Sequence, residues 1–100
     1  MKVSEIKKFP IQDNEGKNYY VIKIETDSGI YGLGEAGIPA WGGAISKAID
    51  HLSEIVIGQD PFSTEKLWQR MFRGGFFPAD KVYSCAISAI DIALWDIKAK

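Results

Sequence analysis

The residues of this chain that could do chemistry are few, and each has a quieter explanation. Gly32-Leu33-Gly34-Glu35-Ala36-Gly37 matches G-x-G-x-x-G, the pattern that lets a backbone approach a pyrophosphate at a helix N-terminus. That chemistry needs a βαβ unit. Here the strand carrying the pattern reads as one arm of an antiparallel hairpin, no parallel strand follows, and Glu35 would set a carboxylate beside the phosphates. Gly32 and Gly34 are expected instead to clear one strand face so that something bulky packs close. His51, beside Asp50, is expected at an exposed helical position. Cys85 lies on a face that reads as buried, where a thiol is inert. Asp91 and Asp96 fall on different faces of one helix and would bind a metal only with outside ligands; a hydrogen bond or ion pair is the expected use of at least one. Arg70 and Arg73 suit an anion or a solvated helix end. Trp41, followed by Gly42 and Gly43, is either an anchor for the next helix or a lid over a ligand. One His and one Cys cannot furnish a zinc site.

The elements that must position these residues divide near residue 40. Residues 2–11 read as a strand that Pro10 confines to an edge or an end. Gln12 to Asn18 is a polar turn. In 19–26, Tyr20, Ile22 and Ile24 alternate with Val21, Lys23 and Glu25, a strand with one apolar face. Asp27-Ser28-Gly29 closes a hairpin onto a third strand, 30–35. Helices are expected over about 42–57, 63–72 and 80–100. Ile45, Ala48, Ile49, Leu52, Ile55 and Val56 form one helical stripe, ended by Gly58 and Pro61. The last helix carries two stripes, Tyr83, Ile87, Ile90, Leu94, Ile97 and Val82, Ala86, Ala89, Ala93, with Ile92 and Trp95 outside both. A helix apolar on several faces is buried on several faces. Its pattern runs to Lys100 without a stop signal, so the polypeptide is expected to continue. The fold class is α+β: a three-stranded antiparallel meander, then three helices.

The chain has 100 residues, 46% apolar, with twelve Lys and Arg against thirteen Asp and Glu, a net charge of -1. That balance excludes a strongly basic nucleic-acid surface and a disordered acidic tail. The N-terminus lacks the apolar core of a signal peptide, and no apolar run reaches the roughly 18 residues of a membrane span. A single Cys makes no intrachain disulfide, which favours a cytoplasmic setting.

Tyr31-Gly32-Leu33-Gly34-Glu35, Ile57-Gly58-Gln59-Asp60-Pro61, Leu67-Trp68-Gln69 and the segment from Ala86 to Lys100 resemble the N-terminal capping domain of the mandelate racemase/muconate lactonizing branch of the enolase superfamily. Ala93-Leu94-Trp95-Asp96-Ile97-Lys98 is the most specific piece. The short first loop and Lys23-Ile24-Glu25-Thr26-Asp27 look most like acid-sugar dehydratases of the galactonate and mannonate type. The resemblance implies that residues 1–100 cap a (β/α)8 barrel expected in the C-terminal part of the protein. It further implies removal of the proton α to a carboxylate, with Mg2+ bound by the barrel and no catalytic or metal-binding residue in this chain. Racemisation, epimerisation or cycloisomerisation would share that first step. The two cap loops would be Gln12 to Asn18 and Ala36 to Gly43, with Ile38, Pro39 and Trp41 lining the distal end of the substrate and Asp13 and Asn14 as fainter candidates. The implied partners are a small carboxylate substrate, the protein's own barrel and further copies in a homo-oligomer, with no nucleic acid and no membrane. The reading of another class is a stand-alone interaction module using the last helix.

Overall fold

The structure is a computed structural model that describes residues 1–37, 42–73 and 80–100. Three strands, β1 (Val3–Gln12), β2 (Asn18–Thr26) and β3 (Tyr31–Ala36), form an antiparallel sheet in the order β1-β2-β3. Three helices follow: α1 (Gly42–Val56), α2 (Thr64–Arg73) and α3 (Lys81–Ala99). The alternation in β2 sets the sheet's orientation. Tyr20, Ile22, Ile24 and Thr26 point inward and are buried, while Val21, Lys23 and Glu25 face outward. Gly29 and Gly58 hold φ of 87° and 88°; the first closes the β2–β3 hairpin and the second ends α1, both conformations that cost a glycine little. The Gly58 N–H also bonds the Val3 carbonyl at 2.8 Å, tying the helix end to β1.

The helices cover the inner face. The predicted α1 stripe is buried at Ile45, Ala48, Ile49, Leu52 and Val56. In α2, Leu67 and Met71 are buried, and Trp68 and Phe72 stack with ring centroids 4.9 Å apart. Asp80 caps α3 by accepting the Tyr83 N–H at 3.0 Å, the arrangement that satisfies an orphan helix donor.

β3 and α3 approach each other closely. A β-carbon built on Gly32 would overlap the carbonyl oxygen of Ala93, and one on Gly34 that of Ala89. The glycines of the G-x-G-x-x-G pattern therefore receive a helix backbone. The small residues Ala89 and Ala93 allow the approach, and the bulky group that packs close, as expected, is the helix itself, main chain foremost. β3 is an antiparallel edge strand, so among the described residues the pattern lies outside the βαβ unit that a phosphate site needs.

The end of α3 also protects that edge. Asp96 accepts the Leu33 N–H at 3.0 Å, and the Lys100 ammonium donates to the Tyr31 carbonyl at 2.8 Å while lying 3.4 Å from Asp96. These contacts occupy groups that an exposed edge would offer to another strand. The Leu33 N–H, then Lys100, hold the Asp96 carboxyl below its usual range; a hydrogen bond from Lys7, 3.1 Å away, does the same for Glu25 on the outer sheet face. Both stabilising contributions are complete above the ordinary carboxylate range near about pH 4 and are lost as pH falls through the depressed folded values. The urea midpoint of unfolding is expected to drop with acidification below about pH 4, and Asp96→Asn should flatten that drop. A drop of equal steepness in the variant would deny Asp96 its part.

Two expectations need correction. Cys85 is half-buried, not sealed in the core, because its turn of α3 lies toward the end of β3, near Gly37. The apolar excess of α3 is also smaller than its sequence suggests. Ala86, Ile87, Ala89, Ile90, Ala93, Leu94 and Ile97 are all buried within the chain, against the sheet, α1 and α2. What remains uncovered is Ile92 at 51% exposure and Trp95 at 52%.

Candidate functional site

The sheet register gathers the candidate site at one end of the molecule. Pro10 pairs with Tyr20 and Tyr20 with Ala36, so the β1–β2 turn and the exit from β3 lie at the same end of the sheet. The first residues of α1 arrive there too: Gly43 and Ser46 face Pro10, Tyr19 and Tyr20 across a hollow of about 450 Å³. Ile38, Pro39 and Trp41, the main candidates from the sequence, fall outside the described residues.

The first loop is shaped by Asp13. Its Oδ1 accepts the N–H groups of Glu15 at 2.9 Å and Lys17 at 2.8 Å, and its Oδ2 lies 3.4 Å from the Tyr19 hydroxyl. Its own N–H donates to the Lys17 carbonyl at 2.9 Å. This carboxylate organises a turn, the common use of an Asp in that position. Asn14 sits exposed in the turn, and among the described residues its side chain has no hydrogen-bond partner. On the neighbouring row of the sheet, Lys8 points inward to α1, where it pairs with Asp50 and donates to the Ser46 hydroxyl at 3.0 Å.

The remaining chemical candidates are dispersed. His51 is exposed, and its ring meets Tyr83 edge-on at 6.1 Å. Arg73 donates to the Gln69 side chain at 3.0 Å at the exposed end of α2. Asp91 borders a second hollow, between α2 and α3, with Phe62, Trp68, Trp95 and Lys98. Partial burial raises the Asp91 carboxyl above its usual range. Among the described residues, no three His, Cys, Asp or Glu side chains converge as a metal site. None of the described helices is long and apolar enough to cross a membrane.

Residues 6–100 match the model of the mandelate racemase / muconate lactonizing enzyme N-terminal domain. The chain belongs to this family, a branch of the enolase superfamily. A D-galactonate dehydratase of Cronobacter sakazakii is 47% identical over 79 residues, 79% of this chain and 21% of that protein. Among solved structures, an enolase of Pantoea ananatis with bound D-gluconate and Mg superposes with a TM-score of 0.87 at 36% identity, over 97% of this chain and 24% of that one. The 3,6-anhydro-D-galactonate cycloisomerase of Zobellia galactanivorans also gives 0.87 at 36% identity, over 98% of this chain and 28% of its own. The chain spans between 21% and 24% of the length of the curated relatives it matches. As an enolase-superfamily N-terminal domain it shares this fold with dehydratases and with a cycloisomerase.

Tyr20, which the sequence pattern counts as one apolar member of the β2 stripe, is buried and borders the first hollow.

Proposed function

We propose that this chain is the capping domain of a Mg2+-dependent enzyme that removes the proton α to a carboxylate and dehydrates a sugar acid. The observation carrying this reading is the convergence of both loop stems at one end of the sheet, in a chain 47% identical to a D-galactonate dehydratase. Loops from one end can close a single mouth, whereas loops from opposite ends cannot. The catalytic barrel belongs to the remainder of the full-length protein, and active sites of such barrels open at the C-terminal ends of their strands. Ile92, Trp95 and Phe62, all exposed, together with the partly buried Asp91, support a docking face for that barrel between α2 and α3.

On this reading the chain selects and encloses. Ile38, Pro39 and Trp41 line the distal end of the substrate, and Asp13 holds the first turn in shape so that Asn14 reaches it. Enclosure excludes water, which strengthens every electrostatic interaction inside. The resemblance assigns the metal to the barrel, and an enolase of the same fold is solved with Mg bound. The unpaired Cys85 suits a cytoplasmic enzyme, and assembly into a homo-oligomer completes the proposal. Cycloisomerisation is the second reading, favoured by the likeness to the Zobellia galactanivorans enzyme. The stand-alone module has less support, because α3 buries most of both its stripes within the chain, all but the half-buried Val82 and Tyr83.

Trp41→Ala in the full-length enzyme tests the loop assignment. The variant is expected to fold and to show a KM raised by about tenfold, what a single well-packed ring against the substrate supplies, or a changed order of preference among D-galactonate, D-mannonate and D-gluconate. Unchanged kinetics on all three would remove Trp41 from the substrate's surroundings.

A further inference from the structure

The hollow between α2 and α3 sets one carboxylate among aromatic rings. It encloses about 630 Å³, and its walls come from residues 62–69 and 91–98. Phe62 and Trp95 are exposed, and Trp68 is half-buried. Asp91 stands among them, itself half-buried. Its carboxylate has lost part of its water without a compensating charge. Partial burial raises it above its usual range, and among the described residues it makes no ion pair. A charge in that position costs free energy until a partner arrives. Lys66 and Lys98 line the same hollow, yet neither reaches ion-pair distance of Asp91. The Lys98 ammonium lies over the Trp95 ring instead, 4.7 Å from its centroid, so an aromatic face here already attracts a cation. The hollow lies at the Thr64 end of α2 and in the second half of α3, whereas Arg73 and Asp80 stand at the opposite ends of these helices.

We propose that an arginine side chain of the barrel enters this hollow and pairs with Asp91, fastening the two domains together. Arginine fits better than lysine. Its planar guanidinium meets a carboxylate through two parallel N–H bonds and stacks on aromatic rings, and its aliphatic stem covers the apolar wall. The inference rests on the capping-domain reading and deepens it, because it names the chemistry of the group that docks. The supply of that group follows from length and position. The chain spans only 21% to 24% of the length of its relatives. On the capping reading the barrel follows Lys100, which sits on the same helix as Asp91, about 14 Å further along the axis.

The test is amide hydrogen exchange on the full-length protein, read over residues 62–69 and 91–98. In the wild type these segments are expected to exchange slowly, at a rate independent of protein concentration. Asp91→Lys sets two cations against each other and should speed their exchange about tenfold or more, the consequence of leaving a buried charge without its partner. Asp91→Asn removes the charge at constant shape and should speed it by a smaller factor. The amides of β2 should keep their wild-type rates; if Asp91→Lys loosens them as well, Asp91→Asn carries the comparison. In the Asp91→Lys background, one Arg→Glu substitution in the barrel, found by changing its arginines singly, should restore wild-type exchange. Wild-type rates in both Asp91 variants overturn the inference, and so does a set of Arg→Glu substitutions none of which restores protection. Protection that grows with protein concentration overturns it too, since a second copy would then cover the hollow. Turnover is not read, so a full-length protein without sugar-acid activity fails the functional reading alone.

Discussion

Gly34→Val is expected to abolish the native packing of this chain. The new β-carbon would overlap the Ala89 carbonyl oxygen, a main-chain atom inside a helical hydrogen-bond ladder that no side-chain rotamer change can move. Relief requires α3 to withdraw from β3. That withdrawal would also uncover Ile22, which pairs with Gly34 across the sheet, and Ile90, both fully buried. Overpacking a core costs roughly 1–3 kcal/mol where side chains can adjust; a clash with main chain belongs at the top of that range or above it. Against a total stability of about 5–15 kcal/mol for a domain, the urea midpoint should fall steeply and soluble yield should drop. Gly43→Ala supplies the contrast. Its β-carbon meets nothing within 4 Å, and in a helix it should shift stability by less than about 1 kcal/mol, in the stabilising direction. A Gly34→Val variant with a near-native midpoint would mean that α3 does not sit on β3 as described.

Chelation should separate this chain from the full-length enzyme completely. With EDTA, turnover of a sugar acid by the full-length protein is expected to fall to background and to return with Mg2+, because the proton α to a carboxylate is weakly acidic and the charge left behind needs a metal's stabilisation. The chain of residues 1–100 alone should show no turnover with or without Mg2+. Its unfolding midpoint should ignore both EDTA and Mg2+, since its described residues assemble no metal cage. Turnover that survives exhaustive chelation would contradict the metal dependence. A midpoint that moves with Mg2+ would place a cation site in this chain.

Periodicity carries most of the fold. Every helix and strand lies within a residue or two of its expected bounds, because the two patterns differ clearly: Tyr20, Ile22 and Ile24 alternate, whereas Ile45, Ala48, Ile49 and Leu52 recur at helical spacing. Partner identity is less legible. Gly32 and Gly34 announce a close approach, but nothing in β3 says that the approaching group is the backbone of a helix more than fifty residues away. The covering of α3 is hidden for the same reason. A stripe pattern counts apolar faces without showing that one flank of the sheet, α1 and α2 suffice to bury two of them. Asp96 reads as a bonded carboxylate from the sequence, yet its partner, the Leu33 N–H, follows only once β3 is known to be an edge. At the site, the turn chemistry of Asp13 is local and therefore readable. Tyr20 and Ser46 come together across the fold, and no spacing in the sequence joins them.

The most direct test is a crystal structure of the full-length protein with Mg2+ and a bound sugar acid. We expect residues 13–17 and 38–41 to lie over the ligand at the mouth of a (β/α)8 barrel, with the α2–α3 face buried against that barrel. A bound sugar acid with the β1–β2 turn pointing into solvent, remote from the ligand, would contradict the capping role.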